Sequence, residues 1–175
     1  MQQSKPQHQT QSLRRCGLHV VNNLLQTDKY TSNDFDRVAE EMKRETNNSH
    51  YTYFLGNYDL NVIERILLKE SYELQWIRQN QAITEELMAD ESVEGLLINK
   101  IKEISLIERL CQWEPRHWVC IRKSRKSDNT LEFYYHDSQL KDAQLYQTKD
   151  SISLLQELQK NKDNHLLLVK KMQLH

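Results

Sequence analysis

The hydrophobic period of this 175-residue chain changes part-way along, and that change limits the folds open to it. In the first half, apolar residues recur at helical spacing. Between Cys16 and Gln26, Leu18, Val21 and Leu25 fall at i, i+3 and i+7, and Val20 and Leu24 widen the stripe. The spacing predicts a helix there, although two β-branched residues lower its intrinsic propensity. A second helix is expected in "TSNDFDRVAEEMKRE", with Ser32 or Asn33 able to cap it and Phe35, Val38, Ala39 and Met42 on one face. "TNNSHYTYFLGNY" reads as a loop. "DLNVIERILLK" reads as a third helix, with Leu60, Ile63 and Leu67 on one face and Asp59 at its start.

The later pattern is different. "YELQWI", "GLLIN", "HWVCIR", "LEFYYH" and "HLLLVKK" are short, apolar or aromatic, and separated by polar stretches, which is how strands read. One further helix, from Asp150 to Asn161, carries Leu154, Leu155 and Leu158. Helices first and an antiparallel sheet after them make an α+β domain. No repeat or interdomain linker divides the chain. Residues 1–10 read as a polar tail and residues 11–175 as one domain, long enough to bury a core.

Composition removes several function classes. With 24 basic and 25 acidic residues the formal net charge is −1, so bulk binding to nucleic acid or an anionic membrane is not expected. The three cysteines, Cys16, Cys111 and Cys120, make neither a disulfide framework nor paired CxxC spacing for zinc. Only 3 residues are glycine, where about 7 % is usual, and no glycine-rich phosphate cradle or dinucleotide fingerprint exists. The first twelve residues have no apolar core and do not read as a secretory signal. No apolar run approaches the ~20 residues of a membrane helix. A reducing compartment, the cytoplasm or also the nucleus, is the expectation.

Cys16 is the residue whose position asks for an explanation. It precedes the apolar stripe in "LRRCGLHVVNNLL", where a packing cysteine would lie inside it. A thiol in the first turn of a helix meets the partial positive charge of the helix N-terminus, which favours the nucleophilic thiolate. Arg14 and Arg15 add to that field, and Gly17 leaves the backbone beside the sulfur open. A nucleophile also needs a base. His117 in "PRHWVCIRK" stands at the head of a strand, between a polar pair and an apolar run, and is the strongest of the 7 histidines for that role. If "HWVCIR" and "LEFYYHD" form a hairpin with Lys123 opposite Leu131, then His117 stands opposite Asp137. Directly opposed side chains share a face about 4.5–5.5 Å apart at Cβ, so the carboxylate can orient the imidazole. Asp137 equally suits the start of the turn "HDSQL". For the oxyanion of an acyl transfer, the Cys16 backbone N–H at a helix start could be one donor, and Gln11 could add a side-chain amide.

These residues resemble a known family. "QSLRRCGLHVVNNLLQ", "GNYDLNVIERIL" followed by "YELQW", "RHWVCIRK" and "YYHDSQL" are similar, in that order, to the Josephin proteins, and "HLLLVKK" is similar to the family's last strand. The resemblance runs from Gln11 to Leu140 and implies a papain-like fold and a cysteine protease that releases ubiquitin from lysine side chains or from other ubiquitins. It implies Cys16 as nucleophile, His117 as general base and acid, Asp137 as the third member and Gln11 as the glutamine of the oxyanion hole. No cofactor and no metal are implied. The implied partners are ubiquitin, polyubiquitin and ubiquitinated proteins. Trp118 would wall the channel for the ubiquitin tail, and Leu60 would offer an apolar contact to the ubiquitin body. His50, Tyr51, Tyr53 and Phe54 lie where the family carries a mobile helical arm or lid. The chain departs from the family at Glu70-Ser71, where a glycine is common, and in the pair Tyr135-His136 ahead of the acid, where Asn-Leu is usual. Two rival readings keep the same residues. One is a different acyl transfer on the same Cys-His-Asp order, which hydrolysis of ubiquitin conjugates without an amine acceptor would exclude. The other is a weakly active or inactive module of the same fold that binds ubiquitin.

Overall fold

The structure is a computed structural model, and it describes residues 5–10, 15–46, 51–52, 57–58, 60–101 and 116–173. Within them the chain forms α1 (Cys16–Leu25), α2 (Ser32–Thr46), β1 (Tyr51–Thr52), β2 (Asn57–Tyr58), α3 (Leu60–Lys69), β3 (Tyr72–Trp76) and α4 (Glu85–Ala89). It continues with β4 (Val93–Ile101), β5 (Arg116–Arg125), β6 (Leu131–His136), β7 (Gln144–Gln147), α5 (Thr148–Lys160) and β8 (His165–Lys171). Six strands make one antiparallel sheet in the order β3-β8-β4-β5-β6-β7, and β1 and β2 pair as a separate two-residue ribbon. The fold is α+β, with the helices largely ahead of the sheet in sequence.

The apolar runs of β4 and β8 are nearly continuous because both faces of the sheet are covered. On one face α1, α2 and α3 pack Val21, Leu24, Phe35, Ile63 and Leu67 against Leu97, Trp118, Cys120, Leu167 and Val169. On the other, α4 and α5 contribute Met88 and Leu155, which meet Leu96, Ile98, Val119, Ile121, Phe133 and Leu168. Alternation along β4 and β5 assigns neighbouring residues to opposite cores.

At Gly95 in β4 the Leu24 side chain of α1 and the β5 backbone leave no room for a side chain. A Cβ there would collide with the Ile121 carbonyl oxygen and stand 2.9 Å from Leu24 Cδ1. The β4–β8 register also shifts between Val93 and Gly95, a bulge that a glycine accommodates.

Several local details differ from expectation. The start of α2 is closed by Thr31 rather than Ser32 or Asn33: its N–H and hydroxyl donate to Asp34 Oδ2 at 2.9 and 2.6 Å. The stretch expected as a loop contains β1 and β2. The short helix α4, opened by Thr84 accepting from the Leu87 N–H, and the exposed edge strand β7 were not anticipated. Residues 5–10, read as tail, are bound along α1. Gln9 N–H donates to Asn23 Oδ1 at 2.6 Å, and Asn23 Nδ2 returns a bond to Gln9 O at 3.2 Å. Gln7 and Gln26 repeat the arrangement at 2.8 and 3.0 Å. Two side-chain amides thus do for this strap what a strand edge would do. Among the described residues no helix is long and apolar enough to cross a membrane.

Candidate active site

Cys16 is the first residue of α1 and is 3 % exposed. Its helix begins after Arg15 with no side-chain cap and no acid in the first turn, so no carboxylate of the helix's own first turn offsets the positive end of α1. α1 lies along β5, and Cys16 joins the helix-side core. His117, second residue of β5, shares the other face with Val119 and Ile121. The two residues meet at the Arg116 end of β5, where they are joined by a hydrogen bond. Arg116 fixes that end of the strand, donating to Asn99 Oδ1 at 2.8 Å and to the Asp163 carbonyl at 2.9 Å.

His117 Nε2 donates to Asp137 Oδ1 at 2.7 Å, which leaves Nδ1 as the ring nitrogen for Cys16. Burial works against the imidazolium, but the hydrogen bonds and charges of Asp137 and Cys16 outweigh it and raise the His117 pKa above its usual value. Burial likewise opposes ionisation of Asp137. The bonds from His117 and the Gln139 N–H, with the charge of Lys100, outweigh that and hold its carboxyl far below the usual range.

The pairing that brings His117 and Asp137 together is not the one expected. Lys123 stands opposite Phe133, not Leu131, and Leu131 pairs with Arg125. The ladder is displaced by two residues, so His117 and Asp137 are diagonal rather than opposed. An even displacement keeps both side chains on one face, and diagonal neighbours remain within reach of long side chains. Asp137 also begins a turn: its Oδ1 accepts from Gln139 N–H at 3.0 Å and its carbonyl from Leu140 N–H at 2.8 Å. The orienting role and the turn role coexist.

Trp118 lies 7 % exposed in the helix-side core beside α1, opposite Asn99. Leu60 is partly buried at the start of α3, packed against the same core. Gln11, His50, Tyr53 and Phe54 lie outside the described residues, and only the backbone of Tyr51 is described, in β1. Cys120 is the inert counterpart of Cys16: it is fully buried, its thiol donates to the Val20 carbonyl at 3.6 Å, and burial pushes its pKa far up.

Two features of the site escaped sequence reading. Lys100 in β4 pairs directly with His117 in the ladder and places its ammonium 3.0 Å from Asp137 Oδ2 and 2.9 Å from the Tyr135 hydroxyl. The β4–β5 register would have revealed it. The second is a histidine pair. His8 of the strap stacks on His136 with Nδ1 atoms 3.1 Å apart, and its Nε2 donates to the Leu140 carbonyl at 3.0 Å.

Comparison with known proteins bears on the chain as a whole. The Josephin family model matches residues 11–170. A Josephin-like protein of Arabidopsis thaliana is 27 % identical over 165 residues, covering 86 % of this chain and 43 % of that protein. Human Josephin-2 is 27 % identical over 118 residues, covering 66 % of this chain and 62 % of its own length. A Josephin-like protein of Drosophila melanogaster is 26 % identical over 166 residues, 93 % of this chain and 72 % of that protein. The chain thus spans less than two-thirds of the plant and human relatives. With the family model matching residues 11–170 of its 175, this chain belongs to the Josephin family.

Proposed function

We propose that this protein is a thiol-dependent deubiquitinase, hydrolysing the isopeptide or peptide bond that follows the C-terminal glycine of ubiquitin. The observation that carries the reading is the continuous line from Cys16 at a helix start, through His117, to Asp137. Family membership supports the same class of activity.

In this mechanism the Cys16 sulfur, as thiolate, attacks the carbonyl carbon of the terminal glycine while His117 holds the proton. The tetrahedral oxyanion takes hydrogen bonds from the Cys16 N–H and, in the family's assignment, from the Gln11 amide. Collapse breaks the C–N bond. His117 gives its proton to the leaving lysine amine, and a thioester remains on Cys16. Water, deprotonated by His117, attacks the thioester, and ubiquitin leaves with a free carboxylate as the thiol is restored. Asp137 stabilises the imidazolium present in both halves of the reaction.

The test is a ubiquitin bearing a C-terminal electrophile, offered to the wild type and to Cys16→Ala. A covalent adduct in the wild type, with at least a 1,000-fold loss in Cys16→Ala on the scale of nucleophile removal, is the expected result. A folded wild type that binds ubiquitin but forms no adduct would refute the reading and leave a ubiquitin-binding module.

A further inference from the structure

We propose that Lys100 is a positioning residue of this site: it holds the outer oxygen of Asp137 so that the inner oxygen faces His117. The proposal rests on reading Cys16, His117 and Asp137 as a cysteine-nucleophile centre.

Asp137 needs such support. It lies one residue past the last ladder pair of β6, Cys120 with His136, so strand pairing does not fix its backbone. Its carboxylate is nevertheless held on both sides. Oδ1 accepts from His117 Nε2 at 2.7 Å and from Gln139 N–H at 3.0 Å. Oδ2 accepts from Lys100 Nζ at 3.0 Å and from the Tyr135 hydroxyl at a long 3.5 Å. Without Lys100 only the long contact would restrain Oδ2, and the carboxylate plane could turn away from the imidazole. A charge-assisted bond is shorter and roughly twice as strong as a neutral one, so the ammonium is the main restraint on that side.

Lys100 is itself held. A strand-end lysine ordinarily extends into water. This one is only 24 % exposed, and its ammonium lies 5.6 Å from the centre of the Tyr135 ring while donating to that hydroxyl. Tyr135 is braced in turn by an edge contact with Tyr146 of β7, ring centres 6.4 Å apart. Burial disfavours the ammonium, but Tyr135 and Asp137 outweigh it, so Lys100 stays charged through the working range. Among the described residues, the titratable and charged groups around the carboxylate are Lys100 from β4, His117 and the buried Cys120 from β5, Tyr135 from β6 and, beyond His117, Cys16 from α1.

The experiment follows alkylation of Cys16 by iodoacetamide between pH 4 and 10, read on the Cys16 peptide by mass spectrometry. It compares wild type, Lys100→Met, Lys100→Arg, Asp137→Asn and the Asp137→Asn/Lys100→Met double variant. The wild type should show an upper limb set by the raised pKa of His117. In K100M the upper limb should fall by about one pH unit, the size expected when an orienting bond to an imidazolium loosens, which changes the rate by up to about tenfold at pH values on that limb. K100R should stay within about twofold of wild type. K100M should add less than about twofold to D137N, where no carboxylate remains to be held. If K100M does not fold, K100Q, which keeps a donor without charge, is read in the same way. A K100M profile that overlays the wild type, or an upper limb that rises, would overturn the proposal, the latter by showing Lys100 only as a charge opposing the imidazolium. An ordinary-thiol profile in the wild type would overturn the underlying site reading as well, so the two failures are distinguishable.

Discussion

Substituting His136 by Phe should remove a large part of the acid sensitivity of this fold. In the neutral pair, His8 Nε2–H donates to the Leu140 carbonyl, which leaves His8 Nδ1 as an acceptor. His136 must then donate from its own Nδ1 across the 3.1 Å contact. Its Nε2 is left as a bare lone pair, buried and without a partner among the described residues, in a residue 1 % exposed. A second proton would have to enter at that nitrogen with nothing to accept from it. Burial, the neighbouring His8 and Arg122 accordingly depress the His136 pKa from 6.5 to about 3. A depressed folded pKa means that the unfolded chain binds the extra proton first. Stability is therefore full above about pH 6.5 and declines as pH falls toward about 3. From pH 7 to pH 5 the loss from this one group is about 2 kcal/mol, at roughly 1.4 kcal/mol per pH unit below the unfolded pKa. Phe keeps the ring shape and cannot titrate. Urea unfolding of both proteins at pH 7 and pH 5 measures the effect: the stability advantage of the wild type should shrink by about 2 kcal/mol, roughly 1 M in urea midpoint. The raised His117 pKa gives the opposite slope, with stability lost as pH rises through it, and the subtraction cancels that contribution. Parallel pH dependences, equal within about 0.5 kcal/mol, would refute the assignment of the neutral pair.

Two substitutions probe the backbone. Gly95→Ala should destabilise by about 2–4 kcal/mol, because the added methyl meets the backbone carbonyl oxygen of Ile121, which cannot give way as the Leu24 side-chain end can. The melting temperature, lower by roughly 5–15 °C, reads it directly. Ser71→Gly should act the other way, raising stability by up to about 1 kcal/mol, since Ser71 holds φ 62° where an L side chain is strained. A differential scan showing no gain would mean that surrounding contacts already offset the strain.

Ser71 also shows how the chain makes this turn without a glycine. It keeps the left-handed conformation that a glycine would adopt freely, fixed by Ser71 N–H on the Leu68 carbonyl and Met172 N–H on its own carbonyl. Its neighbour Glu70 accepts from Lys29 Nζ and the Tyr30 hydroxyl at 2.6 and 2.5 Å and ties the α1–α2 connection to the end of α3.

What was legible in the sequence is what a period or a local start announces. Val21, Leu24, Phe35 and Ile63 lie fully buried on their expected helices, and the apolar strand runs all became strands. Cys16 at a helix start and His117 at a strand head needed only their immediate neighbours to be noticed. The β5–β6 register did not announce itself. The strands continue through Ser124, Arg125 and Leu131 to a turn at residues 126–130, where Asn129 takes φ 67°. Polar residues at the outer end of a hairpin read as loop whether or not they are laddered. β7 was invisible for a related reason: it is an edge strand whose one aliphatic residue, Leu145, is 50 % exposed. The strap at residues 5–10 carries no apolar period because amide side chains, rather than buried surface, hold it. Lys100 escaped because a lysine on a strand ordinarily signals solvent, and only the ladder shows what lies across from it.

The end of β6 shows why the missed parts nonetheless belong with the predicted ones. Side chains along a strand alternate between faces, so Tyr135 and Asp137 point to one side of the sheet and His136 to the other. On the first side Asp137 orients His117, and Tyr135 braces Lys100. On the second, beside α1, His136 receives His8 and so pins the strap that runs along that helix toward its Cys16 end. One three-residue segment thus supports the site from both faces. Leucine in place of His136 would offer His8 no ring nitrogen, and asparagine in place of Tyr135 would offer Lys100 no aromatic face. Changing His136 without His8, or Tyr135 without Lys100, should disturb the site more than exchanging both members of either pair.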